Sequence, residues 1–204
     1  MTIVRIGDVQ PMGDLDLNAP RPNLAVCWEV RFRGAAHDKI ELAYHRVAKY
    51  TLDQNLSFDD LISSIVDGSR PTSREWNAPQ VNHPKRSKLS IESNQAKYHI
   101  FVIEGDNCQF SEQQTPFRIA TYKASFFYEA RCGWADSSGA PQITAVPPVG
   151  IVSKVGYFIA FSNLDMSGVP APFNIYLDLK TVDGSLVPIA IDPDVGYPGG
   201  VKEP

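Results

Sequence analysis

The residues of this chain best able to do chemistry are four histidines, three cysteines, one basic run and two acidic clusters. The histidines are His37, His45, His83 and His99, and none stands at a metal-ligand spacing from another. His99 lies inside an apolar run, where a hydrogen-bonded, partly buried ring is the plainer role. His45 could act as a general base if Asp53 or Glu41 folded beside it. Cys27, Cys108 and Cys132 are odd in number and widely spaced, which fits neither a disulfide framework nor a zinc motif. Free thiols, buried or half-buried, are expected instead. There is no Walker-type glycine loop, no GxGxxG after a strand, and no HExxH, GxSxG or CxxC.

The segment His83-Pro84-Lys85-Arg86-Ser87-Lys88 is the only basic run. Lys85, Arg86 and Lys88 could hold a phosphate or nucleotide, with Trp76 as a stacking platform. The alternative is a solvated loop whose Trp76 packs down onto a sheet. Acidic residues gather at Asp14 and Asp16, and at Asp178, Asp192 and Asp194. Asp178 and Asp192 would be diagonal neighbours on one face of a hairpin, with Cα atoms about 7–8 Å apart. Two carboxylates so placed could hold a hard cation with waters, or could simply be solvated. No organic or redox cofactor is expected.

Strands must position most of these groups. Leu24, Val26, Trp28, Val30 and Phe32 alternate with Ala25, Cys27, Glu29, Arg31 and Arg33, giving a strand with one apolar and one mostly wet face. Lys39–Thr51 fits a strand or a helix. Ser57 as N-cap, Asp60 three residues on, and Phe58, Leu61, Ile62 and Ile65 at helical spacing predict a helix over Phe58–Asp67, with Gly68 as its C′ residue. Residues 69–96 carry three prolines and read as a long irregular loop. Lys97–Glu104 is apolar on both faces and reads as a central strand. Further strands are expected at Phe117–Tyr122, Ser125–Ala130 and Tyr157–Phe161, with a Gly- and Pro-rich stretch at 133–154.

The C-terminal hairpin has a selectable register. A two-residue Asp-Gly turn would set Asp178 opposite Ile189 and put a carboxylate on the apolar face. A three-residue loop Asp183-Gly184-Ser185 pairs Leu179 with Ile189 and Leu177 with Ile191, which the hydrophobic pattern favours. Pro188 marks that last strand as an edge.

Many short strands and one helix predict one domain over 1–204, an antiparallel β-sandwich with one short helix and long irregular loops. Residues 1–23 read as an irregular lead-in and 197–204 as a frayed tail. Net charge is −4 and diffuse, which gives no electrostatic reason to bind nucleic acid or an anionic membrane. No apolar run reaches the length of a membrane span, and reduced cysteines without an export signal suggest the cytoplasm. Phe126, Phe127 and Tyr128 are consecutive, so at least one points away from the core of its sheet. That predicts a homo-oligomer packed through this sheet face and not through the last strand.

The stretches Ala48-Lys49-Tyr50-Thr51-Leu52-Asp53, Trp76-Asn77-Ala78-Pro79 and Pro188-Ile189-Ala190-Ile191-Asp192-Pro193-Asp194 resemble segments of a bacterial family of unknown function, sometimes labelled "nucleotide synthetase". The resemblance spans most of the chain and carries no catalytic motif. The closing hairpin and its Ile-Asp-Pro are similar to the end of the PixA/AidA inclusion-body family over about the last quarter, which implies a β-sandwich. The expectation for function is a non-catalytic binding or self-assembling protein. The alternative is a nucleotide or phosphate-ligand binder, or an enzyme, using the 69–96 loop.

Overall fold

The computed structural model describes residues 21–33, 41–72, 90–92, 97–119, 127–160, 171–191 and 194–196. In chain order they form β1 (Leu24–Arg33), β2 (Glu41–Thr51), α1 (Phe58–Val66), β3 (Ser90–Glu92), β4 (Lys97–Glu104), β5 (Cys108–Phe110), β6 (Phe117–Ile119), β7 (Phe127–Ala135), β8 (Pro141–Thr144), β9 (Val155–Ala160), β10 (Ala171–Lys180), β11 (Leu186–Ile191) and β12 (Asp194–Gly196). The fold is mainly β, with two sheets and one helix, as the sequence predicts. The span Lys39–Thr51 resolves to strand β2 where the structure describes it.

The first sheet runs β2-β1-β4-β9-β7-β8. All its pairings are antiparallel except β1 with β4, and β12 pairs with β3 in parallel, so the sandwich is mixed in detail. A parallel neighbour suits β4, whose interior residues Tyr98 to Ile103 are all buried on both faces. The second sheet is built on β10. One side of β10 carries β11 and then β12 in the same register; the other carries β5 and β6 end to end.

Each face of the first sheet has its own core. Toward the second sheet, Val30, Phe101, Ile103 and Phe158 meet Phe110, Phe117, Phe173, Ile175 and Leu177. The Phe158 ring packs edge to face with Phe117 at 5.0 Å and with Phe173 at 5.3 Å between centroids. Gly156 makes room here, because a Cβ at that position would lie 2.7 Å from Phe110 Cζ. On the outer face, α1 lays Leu61, Ile62 and Ile65 over Ala25, Cys27, Ile100 and Ile159. The expected wet face of β1 is therefore corrected at Ala25 and Cys27, which are fully buried beneath the helix.

Helix α1 starts as its sequence dictates. Ser57 is extended and its Oγ accepts from Asp60 N at 3.1 Å, while Asp67 ends the helix and Gly68 follows at φ 82°. The hairpin register differs from expectation. Leu177 faces Ile189 and Leu179 faces Val187, and the three loop residues are Val182, Asp183 and Gly184. The loop length is the expected one, placed one residue earlier. The reason is turn chemistry: a three-residue loop wants a left-handed residue last, and Gly184 supplies φ 85°. Asp183 then accepts from Ser185 N and from the Thr181 hydroxyl, which also holds its carboxyl below the usual carboxylate range. In this register the nitrogen of Pro188 points away from β10, so its missing N–H costs the ladder nothing.

Candidate functional site

The described cleft lies where the chain enters β1, where β2 ends and where α1 begins. It encloses about 420 Å³ and is lined by Arg21, Pro22, Asn23, Leu52, Asp53, Phe58, Asp59, Tyr98 and Tyr157. Local hydrogen bonds fix each wall. Leu52 N donates to Asn23 O at 2.8 Å, tying the lead-in to the end of β2. Asp53 Oδ1 accepts from Asn55 N at 2.7 Å and Leu56 N at 3.2 Å, closing a side-chain turn that delivers Ser57 to the helix cap. Phe58, the first helical residue, turns down onto the sheet. Its ring stacks on Tyr98 at 3.7 Å and meets the edge of Tyr157 at 4.6 Å. Arg21, Asp53 and Asp59 are exposed on the rim, above this aromatic floor.

The nucleophiles and bases of the described core are held neutral. Burial pushes the Cys27 thiol up to about 12 against the pull of the nearby Arg70 guanidinium. Burial does the same to Cys108, to about 12, and raises Cys132. All three are free and buried, as their spacing implied. His99 is 1% exposed; burial, with Lys97 adding repulsion, pulls its ring down to about 3. Its Nδ1 accepts from Trp28 Nε1 at 3.3 Å, so the proton of the neutral ring sits on Nε2, which has no partner among the described residues. At neutral pH these groups act as packing, not as thiolate or general base.

A charged link lies on the outer face of β1 and β4. Arg70, four residues beyond α1, donates to Glu29 Oε1 at 2.9 Å and Glu104 Oε1 at 3.0 Å, and Arg31 adds a bond to Glu29 Oε2 at 3.1 Å. It tethers the segment after the helix to the central strands.

The sequence-predicted site residues fall in different places. Trp76, Lys85, Arg86 and Lys88 lie outside the described residues, as do Asp192 and Phe126. Asp178 is buried and accepts from Glu112 N at 2.9 Å. It anchors the 111–116 loop, which leaves the sheet edge between β5 and β6. Its cross-strand partner is Pro188, so the register that made it a diagonal neighbour of Asp192 is not adopted. Among the described residues, no group of three His, Cys, Asp or Glu could hold a metal ion, and no helix is long and apolar enough to cross a membrane. The cleft itself has one sequence signal, the Asp53-Gln54-Asn55 turn directly before the Ser57 cap. Tyr98 and Tyr157 carry none, because both read as interior strand residues.

No protein-family model, no curated protein and no solved structure matches this chain.

Proposed function

We propose that the chain is a non-catalytic binding protein that holds a small organic ligand in the cleft at the start of α1. The observation that carries this reading is the cleft itself: a concave site with an apolar floor and a few charged rim groups. The neutral, buried state of Cys27, Cys108 and His99 supports binding over catalysis. The three buried free thiols accord with a cytoplasmic setting, and the Phe126–Tyr128 run with a homo-oligomer. Light scattering that reports a 22.5 kDa particle would refute the oligomer.

A thermal-shift panel of nucleotides, sugar phosphates, free sugars and amino acids tests the ligand reading. The expected result is a shift by one chemical class that Leu52→Trp, filling the cleft, abolishes. A shift that disappears in Lys85→Ala/Arg86→Ala and survives Leu52→Trp would replace this reading with a phosphate-ligand site in the 69–96 loop.

A further inference from the structure

We infer that the exposed apolar row of the β10–β11 hairpin docks a second copy of this chain, through side chains and not through the backbone of β11. This rests on the chain being a homo-oligomer and names a surface for it other than the Phe126–Tyr128 run.

No residue from Leu186 to Ile191 is charged, yet Leu186, Val187, Pro188 and Ala190 are all exposed. Five large apolar side chains are exposed among the described residues, and three of them, Val182, Leu186 and Val187, lie on this one hairpin. The register fixes how they sit. Ile189 and Ile191 pair with Leu177 and Ile175 and turn to the core, so Leu186, Pro188 and Ala190 form a row on the opposite face. Val182 stands at the tip of the hairpin, fully exposed. An edge strand is commonly blunted by charge, by proline or by both, and β11 has the proline alone. The nitrogen of Pro188 points away from β10, so a neighbouring strand would find no donor there. Contact therefore runs through the row of side chains.

The charges beside the row select the occupant. Lys180 is the cross-strand partner of Leu186, and Asp183 lies in the loop between them; both are exposed. Ser185 N donates to Asp183 Oδ1 at 3.1 Å, which fixes the carboxylate in the turn. One cation and one anion flanking an apolar row make a surface complementary to itself. An anionic membrane would call for a surplus of Lys and Arg with exposed aromatic rings, and the exposed large apolar side chains here are all aliphatic. A two-fold axis running along β11 sets hairpin tip beside hairpin tip. Val182 and Leu186 then meet their own counterparts, and Lys180 of each copy comes opposite Asp183 of the other. The 111–116 loop leaves the sheet on the other side of β10, away from such a contact. The row offers an area on the order of a few hundred Å², short of the roughly 800 Å² per partner of a standard interface. The dimer is therefore weak and depends on concentration.

The test is sedimentation equilibrium of the full chain from micromolar to millimolar concentration, on the unchanged protein and on Val182→Lys, Leu186→Lys and Lys180→Glu. The unchanged chain should pass from a 22.5 kDa particle to one of twice that mass as concentration rises. Val182→Lys and Leu186→Lys should each weaken the dimer by about ten-fold or more, since each enters a two-fold contact twice. Lys180→Glu should weaken it several-fold, the range for an exposed charge pair. Val182 is fully exposed, so a loss of dimer in Val182→Lys at unchanged Tm does not come from misfolding. A 22.5 kDa particle at every concentration would overturn the proposal together with the oligomer. A dimer equally tight in Val182→Lys and Leu186→Lys would overturn this surface and leave the oligomer standing. Flotation of a monomer with phosphatidylcholine vesicles, lost in Val182→Lys, would overturn the second copy as occupant and give the surface to lipid.

Discussion

Replacing His99 by glutamine separates the cost of charging this ring from every other acid effect on the fold. The ring is buried between Trp28 and Phe158, with centroids 6.3 Å and 5.2 Å away. Val26 and Phe158 are its neighbours on the flanking strands, and among the described residues the charged group that bears on it is Lys97, which repels a second positive charge. The folded ring titrates near about 3 against an ordinary value of 6.5. Above pH 6.5 it is neutral in both states and has no effect on the pH slope. Between pH 6.5 and about 3 the unfolded chain takes up a proton that the folded chain refuses. Stability then falls as pH falls, by about 1.4 kcal/mol per unit. Below about 3 both states are charged and the slope vanishes. Going from neutral pH to about pH 4.5 should therefore cost about 3 kcal/mol through this residue alone, or roughly 6–12 °C in Tm for a chain of this size. Glutamine keeps an oxygen to accept from Trp28 Nε1 and cannot be charged. Urea titrations of both proteins at the two pH values give a double difference in which the carboxylates and surface groups cancel. Equal losses in the two proteins would refute the reasoning. Should the variant not fold, an NMR titration of the His99 ring serves instead, and a ring already half-protonated at about pH 6 would refute it as well.

Gly156→Ala should destabilise by about 1–3 kcal/mol in a urea titration, because the added methyl meets the rigid Phe110 ring at 2.7 Å. Gly133→Ala should cost less, since its methyl meets Val66 Cγ2, the end of a movable side chain, at 2.8 Å. Asp178→Ala strands the Glu112 N–H and should cost about 1–3 kcal/mol, with hydrogen exchange at Glu112 accelerating ahead of the β10 core. Ser57→Ala removes the α1 cap and should cost about 1 kcal/mol, read as a lower Tm.

The parts of this fold legible in the sequence are those fixed by local rules. The helix was readable because its cap, its apolar spacing and its terminal glycine all lie within a dozen residues and agree. Strands β1 and β4 were readable from their apolar runs. What covers each face was not, because it depends on contacts distant in the chain. Cys27 shares its strand face with Ala25 and Glu29, a face the sequence reads as mostly wet, and still lies at 0% exposure, since α1 arrives from more than thirty residues away to cover it. The hairpin shows how a small error in a local rule spreads into chemistry. Moving the three-residue loop by one position preserves every apolar pairing in kind, so hydrophobic pattern alone cannot detect the shift. Only the demand for a left-handed glycine at the end of the loop can. Yet that shift gives Asp178 Pro188 as its cross-strand partner, and the Asp178 carboxylate serves the 111–116 loop. The cleft escaped for the opposite reason. Its charged rim comes from the lead-in, a turn and a helix start, three segments that no periodicity links. Its floor is made of tyrosines whose sequence context says only that they are buried. A cleft assembled from segment ends becomes visible only once the ends are placed.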